Sequence, residues 1–513
     1  MDAAQPEQGE VDSSGIDGLD KILQGGFPRE GMHIIQGGPG TGKTTLALQY
    51  LLRGAAAGQR GLYFTASQSR RGLETIARSH GWSLDGITIH ELSPGGMGSA
   101  AATDQSVLHT ADVELDELTQ TLRDVLDKIA PRRVILDSLG ALRLLAASTA
   151  RFQREMIRLQ QFLVERNCAG LFLADWPTDT SPSGEVDLQT LATSTIHLNL
   201  TSPDYGEVRR SLRVVKIRGV AMSGGFHNFR IRTGGLEVFP RLALELEREY
   251  KDFKTVPSGI KVLDELLGGG LESGTTCMLI GPPGSGKSSL ASVFVRQHAD
   301  QDGRSTIFLF DERPETFKAR AAGLGVDLQP ALESGHLSVV LLDPGEITAG
   351  EFAQNVRAAV ERDHSRLIVI DSLTGYFNAM GQGEMLAVQM HELITFLSRS
   401  GVLTLLIVAE GGGLGVGPTN TQTDISYLSD SIILLRMFEA GGRVRRCLTA
   451  LKKRQGEHET TIREMLIRPG SIEIATEPLH HLRHILGGDP DPVASLGDEG
   501  GDAGNPGQQG DGG

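Results

Sequence analysis

The same eight-residue phosphate-binding pattern occurs twice in this chain, and the duplication constrains the fold more than any other feature. The pattern spans residues 37–44 (GGPGTGKT) and residues 281–288 (GPPGSGKS), an offset of 244 positions in a chain of 513. Its glycines let successive backbone N–H groups turn inward around phosphates, its lysine reaches the β- and γ-phosphate oxygens, and its final hydroxyl binds Mg²⁺. A chance glycine-rich turn does not explain two copies, so we predict two sites for a nucleotide with Mg²⁺.

Each copy supplies a set of predicted ligands for ATP and Mg²⁺. The predicted ATP-binding residues are Gly38, Gly40, Thr41, Gly42, Lys43, Thr44 and Thr45 in the first copy, and Gly281, Gly284, Ser285, Gly286, Lys287, Ser288 and Ser289 in the second. The hydroxyl groups of Thr44 and Ser288 are predicted metal ligands, and Lys287 is also a predicted catalytic residue. An apolar run precedes each loop and a helix-like stretch follows it, which is the context that the pattern requires.

The internal repeat extends well beyond the loops and indicates the fold class. An apolar strand that ends in Asp-Ser occurs at 134–138 and again at 368–372. An amphipathic helix pattern and a further apolar strand ending in an acid follow each of them. The apolar helix faces are formed by Phe152, Met156, Leu159 and Leu163, and by Leu386, Met390, Leu393 and Leu397. Strands that alternate with helices predict a mostly parallel α/β sheet flanked by helices. We expect two such domains in tandem, at 11–246 and 247–486.

Length and composition fit this organisation. A chain of 513 residues is too long for one ordinary hydrophobic core. Residues 487–513 contain ten glycines, six acids and no basic residue, which predicts a disordered acidic tail. The three cysteines, Cys168, Cys277 and Cys447, lie far apart, which excludes a sequence-evident zinc knuckle or disulfide framework.

Charge and hydropathy narrow the expected partners and location. The net charge of −15 gives a field that repels nucleic acid, so a nucleic-acid partner is not expected. No apolar stretch approaches the roughly 18 residues that span a bilayer. The N-terminal residues lack the basic and apolar regions of a signal peptide. The sequence therefore predicts a cytoplasmic protein with no membrane partner.

Acidic residues follow the predicted strands at positions that nucleotide chemistry uses. Asp137 and Asp371 end buried strands, where an acid holds Mg²⁺ through water, with an ordinary turn residue as the alternative interpretation. Hydrolysis also needs a carboxylate that orients or activates the attacking water. Asp311 and Glu312 follow the strand after the second loop helix, and we predict that they are catalytic. The first copy has Ser-Gln at 67–68, and neither side chain takes a proton at neutral pH.

Together these motifs resemble the family of the circadian-clock ATPase KaiC and its bacterial relatives. The resemblance rests on the twin loops, an S-G-I-x-x-L-D segment before each loop, the acid pair, the L-D-S and I-D-S strands, and Lys-x-Arg near each domain's end. It covers roughly residues 11–486. It implies two RecA-like domains in each subunit and a double-ring hexamer, with ATP held at the subunit interfaces.

The resemblance also assigns a role to four basic residues. It implies that Lys216 and Arg218 bind the nucleotide of a neighbouring subunit, and that Lys452 and Arg454 do so as catalytic residues, in the manner of arginine fingers. An alternative for the first copy is a solvated strand face, formed by Arg209, Arg210, Arg213, Lys216 and Arg218.

The sequence departs from the family pattern at two places. The paired glutamates of the family appear as Asp311-Glu312 in the second copy and as Ser-Gln at 67–68 in the first. The adjacent serine and threonine phosphoacceptors of the clock protein align with Ser426 and Tyr427. Ser426 is therefore a candidate phosphoacceptor, with an ordinary strand-entry hydroxyl as the alternative, and an ordered two-site phosphorylation cycle is not expected.

Three functions are compatible with these features. The first is an ATP-hydrolysing oligomer, with serine/threonine autokinase activity in the second domain, that serves a signalling or timing circuit through regulatory proteins. The second is a scaffold that ATP assembles and that turns over little nucleotide. The third is a DNA-dependent ATPase of the recombinase or helicase type, against which the acidic net charge counts.

Overall fold

The computed structural model describes residues 11–92, 107–146, 148–175, 188–202, 206–242, 250, 252–343, 345–380, 384–409 and 425–479. The described residues form two compact units: those up to 250 with 340–366 and 375–402 belong to the first, and those at 252–339, 367–374 and 403–479 belong to the second. Each unit contains one nine-stranded sheet. The predicted acidic tail at 487–513 lies outside the described residues, and the domain boundary at 246 and 247 stays a prediction.

The described part of the first half of the chain contributes eleven strands and seven helices. The strands are β1 (Val11–Asp12), β2 (Phe27–Pro28), β3 (Gly31–Gly37), β4 (Gly61–Thr65), β5 (Ile87–Glu91), β6 (Arg133–Asp137), β7 (Ala169–Ala174), β8 (Ser194–Thr201), β9 (Arg209–Ile217), β10 (His227–Arg232) and β11 (Gly235–Phe239). The helices are α1 (Asp17–Ile22), α2 (Lys43–Ala56), α3 (Arg70–Ser79), α4 (Val107–Ile129), α5 (Leu139–Leu144), α6 (Thr149–Glu165) and α7 (Leu188–Leu191).

The large sheet of the first unit has the strand order β11-β10-β9-β8-β3-β7-β6-β4-β5. The six strands from β8 to β5 pair in parallel, and β9, β10 and β11 add an antiparallel extension. Strand β3 lies in the interior of the sheet, with β7 and β8 on either side. Its carboxyl end, where the first phosphate loop begins, is therefore at the edge where α/β sheets bind ligands.

Alternating residues of the central strands enter two separate cores. Ile35 packs in a cluster with Leu48 of α2, whereas Ile34 packs in another cluster with Met156 of α6. Because successive side chains of a strand point to opposite faces, the two clusters lie on opposite faces of the sheet. The predicted apolar face of α6 is correct, since Phe152, Met156, Leu159 and Leu163 are all buried.

The second half of the chain repeats the plan. Its strands are β12 (Thr255–Val256), β13 (Leu271–Glu272), β14 (Thr276–Gly281), β15 (Ser305–Leu309), β16 (Leu337–Leu341), β17 (Leu367–Asp371), β18 (Leu403–Ala409), β19 (Ser431–Ala440), β20 (Arg443–Lys453), β21 (Arg463–Arg468) and β22 (Ser471–Pro478). Its helices are α8 (Lys261–Leu266), α9 (Lys287–Asp300), α10 (Pro314–Gly323), α11 (Gln329–Glu333), α12 (Ala349–Glu361), α13 (Leu373–Met380) and α14 (Glu384–Arg399), with a 3₁₀ helix at Ile425–Leu428.

The second large sheet has the order β16-β15-β17-β18-β14-β19-β20-β21-β22. Strands β15, β17, β18, β14 and β19 pair in parallel, and β20 to β22 continue antiparallel. The second phosphate loop follows the interior strand β14, as the first follows β3. The predicted fold class, two tandem and mostly parallel sheets flanked by helices, is confirmed.

Among the described residues, no helix is long and apolar enough to cross a membrane. The three cysteines are buried and form no disulfide.

Candidate nucleotide sites

Each phosphate loop joins a buried strand to a long helix. The last glycine of each loop has a left-handed backbone conformation, which other residues rarely adopt. Strand β3 ends at Gly37 and α2 begins at Lys43, and Gly42, which caps the helix, has φ of 101°. Strand β14 ends at Gly281 and α9 begins at Lys287, where Gly286 has φ of 100°. These left-handed conformations turn the chain so that the helix N-terminus faces the loop, which is the arrangement that binds phosphate.

The loop lysine of the first site makes three contacts. The Nζ atom of Lys43 donates to the carbonyl oxygens of Gly37 at 2.7 Å and Gly38 at 2.9 Å. It also forms an ion pair of 2.8 Å with Asp175, the acid just beyond β7. The Lys43 side chain is 14% exposed and that of Asp175 is 60% exposed. The Asp175 carboxylate thus pairs with the Lys43 ammonium group, to which a phosphate would bind.

Hydroxyl and amide groups surround the predicted metal ligands of the first site. The buried Asp137 carboxylate accepts hydrogen bonds from the Tyr63 hydroxyl at 2.7 Å and from the Ser67 hydroxyl at 2.9 Å. Burial, and then the neighbouring carboxylate, raise the pKa of Tyr63 well above its usual value, so its hydroxyl stays a donor. The Gln68 amide donates to the Thr44 hydroxyl at 3.2 Å.

The second site brings its lysine, hydroxyl and carboxylate together. The Nζ atom of Lys287 donates to the carbonyl oxygens of Gly281 and Pro282, both at 2.8 Å. Burial lowers the pKa of Lys287, and the charge of Asp371 opposes that shift. Burial raises the pKa of Asp371, and a hydrogen bond with Ser288 is the largest effect in the other direction. The predicted metal ligands Ser288 and Asp371 therefore lie close to each other.

The two acids of the second site have different partners. Asp311 accepts a hydrogen bond of 2.8 Å from the Ser372 hydroxyl, which follows the end of β17. Glu312 forms an ion pair with Arg320 of α10, with Nη2 to Oε2 at 2.7 Å and Nε to Oε1 at 3.3 Å. Arg320 also donates to the Ser289 hydroxyl at 3.3 Å. Sequence reasoning missed Arg320, although its place two helical turns after the acids is a usable signal.

The backbone shows which residues of the two sites correspond. The amide of Ala66 donates to the carbonyl oxygen of Asp137 at 2.7 Å, and the amide of Phe310 donates to that of Asp371 at 2.8 Å. The next residues are Ser67 and Gln68 in the first site and Asp311 and Glu312 in the second. Two carboxylates in one site thus stand where the other has a hydroxyl and an amide.

Both sites also receive an arginine from their antiparallel extension. Arg210 of β9 donates through Nε to the carbonyl oxygen of Gly40 at 3.4 Å. Arg446 of β20 donates in the same way to Gly284 at 2.9 Å. The two arginines contact corresponding glycines of the two loops. The side chain of Arg210 therefore contacts the first phosphate loop, in addition to lying on the basic face of β9.

The residues of both sites suit ATP with Mg²⁺. A lysine at a helix N-terminus provides the charge and the donors that phosphate oxygens need. A hydroxyl and a carboxylate in each site, Thr44 with Asp137 and Ser288 with Asp371, are the hard oxygen ligands that Mg²⁺ prefers.

A family model described as "ATPase: KaiC" matches residues 13–243 and 256–478. The chain belongs to the KaiC family of ATPases. Its relatives include the circadian clock oscillator protein KaiC of Parathermosynechococcus lividus, which is 25% identical over 484 residues that cover 93% of this chain and 87% of the relative. The KaiC of Thermostichus vulcanus is 24% identical over 486 residues, covering 93% and 91%. That of Prochlorococcus marinus is 25% identical over 491 residues, covering 94% of each.

The two Lys-x-Arg pairs have described contacts away from the phosphate loop of their own unit. Lys216 pairs with Thr195, which itself lies beside Ile34 at the middle of β3. Its Nζ atom donates to the carbonyl oxygen of Thr190 at 3.0 Å, as Arg218 does at 2.7 Å. Both side chains therefore bind a carbonyl oxygen of α7, and none of their described contacts is with the first loop.

The corresponding pair of the second unit has similar contacts. Lys452 donates to the carbonyl oxygen of Ser429 at 2.7 Å, and Arg454 pairs with Asp430 at 3.4 Å. The KaiC-like candidate phosphoacceptor Ser426 belongs to the 3₁₀ helix Ile425–Leu428 just before this segment. In the part of each unit that the structure describes, the contacts of the Lys-x-Arg pair are with residues outside its own phosphate loop.

Proposed function

We propose that this KaiC family protein is an ATP-hydrolysing, hexameric signalling or timing protein whose second site performs most of the turnover. The observation that carries the proposal is the difference between the sites. Asp311 and Glu312 stand in the second site where the first has Ser67 and Gln68. A carboxylate can orient and activate the attacking water, whereas a neutral hydroxyl or amide is a poor base.

The chemistry of the second site divides among its residues. Lys287 and the backbone amides of the loop bind the β- and γ-phosphates, and Ser288 with Asp371 would hold Mg²⁺. The bound ion would neutralise charge that develops on the phosphate oxygens. Asp311 and Glu312 orient the water and accept its proton. Asp311 has a shorter side chain than the family's glutamate, so Glu312 takes a larger share of this role.

The test of this division is turnover by the full-length chain. Lys287→Ala should remove most steady-state phosphate release, whereas Lys43→Ala should leave the second site's chemistry intact wherever assembly survives. Asp311→Asn with Glu312→Gln should lower kcat by about 10²- to 10⁴-fold while nucleotide still binds. Lys261→Ala is a matched control because it removes an exposed lysine of the same unit, 3.7 Å from Glu265. Parental turnover in Lys287→Ala would refute the assignment.

The first site would mainly bind ATP and assemble the subunits. Lys216 and Arg218, which contact Thr190 rather than their own loop, would complete the first site of a neighbour, and Lys452 with Arg454 would complete the second. Nucleotide that binds the assembled form preferentially shifts the equilibrium toward it by mass action. Light scattering with Mg-ATP should give the mass of a hexamer. A monomer under saturating ATP would contradict the proposal.

Autokinase activity in the second unit would use the same acids with a serine hydroxyl in place of water. The candidate acceptor Ser426 lies in the segment before Lys452. After incubation with Mg-ATP, intact mass spectrometry should give one added phosphoryl group that Ser426→Ala removes. If no phosphorylated residue forms, the kinase activity is refuted and the ATPase proposal is unaffected.

Two other functions make different predictions. A scaffold would assemble with ATP yet release phosphate at a negligible rate even in the parent protein. A DNA-dependent ATPase would be stimulated by single-stranded DNA and retained on it in a salt-dependent manner. The net charge of −15 disfavours the second of these, and steady phosphate release would exclude the first.

A further inference from the structure

Arg320 links the acid pair of the second site to the helix that follows the phosphate loop. It donates to both carboxylate oxygens of Glu312, at 2.7 and 3.3 Å, and to the Ser289 hydroxyl at 3.3 Å. Its guanidinium carbon lies 5.2 Å from the ring centre of Phe317, a buried residue one turn earlier on α10. The guanidinium is therefore held on three sides: by a carboxylate, a hydroxyl and an aromatic ring.

The first unit lacks both members of this ion pair. At the offset of 244 that relates the loops, Glu312 corresponds to Gln68 and Arg320 corresponds to Ile76. Gln68 contacts the loop helix directly, through its amide and the Thr44 hydroxyl at 3.2 Å. In the second unit the arginine makes the link to the loop helix. The unit with the acid pair therefore also has the arginine, whereas the unit without the acid pair lacks it.

We infer that Arg320 is the positioning residue that fixes the Glu312 carboxylate against the phosphate-loop helix for its action on water. The inference rests on the proposed role of Glu312 in the second site. Arg320 itself touches the acid and the helix, so it acts through Glu312.

The physical reason is orientation. Glu312 lies in the bend between β15 and α10, and its side chain is 26% exposed. A glutamate side chain that is free to rotate samples several rotamers, and ordering it costs entropy. The planar fork of an arginine holds both carboxylate oxygens at once, which the single ammonium group of a lysine does not. A displacement of about 1 Å in a catalytic group lowers rates by about 10²-fold.

The experiment measures kcat, KM and nucleotide affinity of full-length variants, with Lys287→Ala defining the phosphate release of the first site. After the phosphate release of the first site is subtracted, the kcat of Arg320→Met should be about 10²-fold lower than that of the parent. Its KM and its affinity for a fluorescent ATP analogue should stay within about threefold of the parent. Arg320→Lys should recover part of kcat. The matched control is Arg296→Met, which removes another arginine–carboxylate pair of the same unit, 2.8 Å from Asp300, and should leave kcat unchanged.

A double-mutant cycle separates positioning from a general structural role. In a Glu312→Gln background, Arg320→Met should cause little further loss of kcat, because the two residues act as one unit. A full additional loss, or a parental kcat in Arg320→Met alone, would overturn the inference. If Glu312→Gln itself retained parental turnover, the proposed function of the acid would fail instead, so the two failures are distinguishable.

Discussion

Acidification should destabilise the first unit through His33, a fully buried histidine on β3, the strand that leads into the first phosphate loop. Its Nε2 atom lies 3.0 Å from the carbonyl oxygen of Pro28, and its Nδ1 atom lies 2.8 Å from the Ser194 hydroxyl. A carbonyl oxygen only accepts, so in the neutral ring Nε2 carries the proton and Nδ1 accepts from the serine. Burial lowers the pKa of His33 from 6.5 to about 4.

The sign and size of the effect follow from this shift. The folded-state pKa lies below that of the unfolded chain, so the unfolded chain binds the proton first. Stability from the neutral ring is complete above pH 6.5 and is lost as the pH falls toward 4. The full interval corresponds to roughly 3 kcal/mol, and the change from pH 7 to pH 5 to about 2 kcal/mol.

Tryptophan emission during urea unfolding measures this loss in the first unit alone. Both tryptophans, Trp82 and Trp176, lie in the first half of the sequence. The unfolding midpoint of the parent should fall by roughly 1 M urea between pH 7 and pH 5. His33→Gln should be less stable at pH 7 but lose much less on acidification. His90→Gln, at a partly buried position on β5, is the matched control, and an equal pH dependence in His33→Gln and the parent would refute the reasoning.

Three further predictions concern the loops and the buried thiols. Gly286→Ala should weaken nucleotide binding and destabilise the second unit by about 1–3 kcal/mol, because φ is 100° and the new Cβ would lie 2.7 Å from Met465 Cε. Hydrogen exchange of the α9 amides measures this loss. Protection of those amides equal to that of the parent would contradict the prediction. Asp175→Asn should tighten ATP binding at the first site by up to about fivefold, since it removes the ion pair with Lys43. A titration with a fluorescent ATP analogue in a Lys287→Ala background measures this affinity. Weaker binding would show that Asp175 does not compete with phosphate for Lys43. Burial raises the pKa of the Cys168 thiol to about 12, so this thiol should resist Ellman's reagent at pH 8 until urea unfolds the chain; rapid labelling of the native protein would be inconsistent with that burial.

The sequence by itself determined the family, the fold class and the duplicated loops. These features depend on local order along the chain: glycine spacing fixes the loop, and hydrophobic periodicity fixes the strands and helices beside it. The same local order identified Asp311 and Glu312 as acids at the end of a strand, and residues 67–68 as their neutral counterparts.

Tertiary structure alone decided which groups touch these residues. Lys43 and Asp175 are 132 positions apart in the sequence yet form an ion pair. The link from Glu312 through Arg320 depends on how α10 packs against α9, and the location of Lys216 depends on the register of β9 along β8. Contacts of this kind follow from the packing of distant elements, which no local pattern encodes. The sequence specified the chemical groups of each site, and the packing of the sheets and helices specified the partners that orient them.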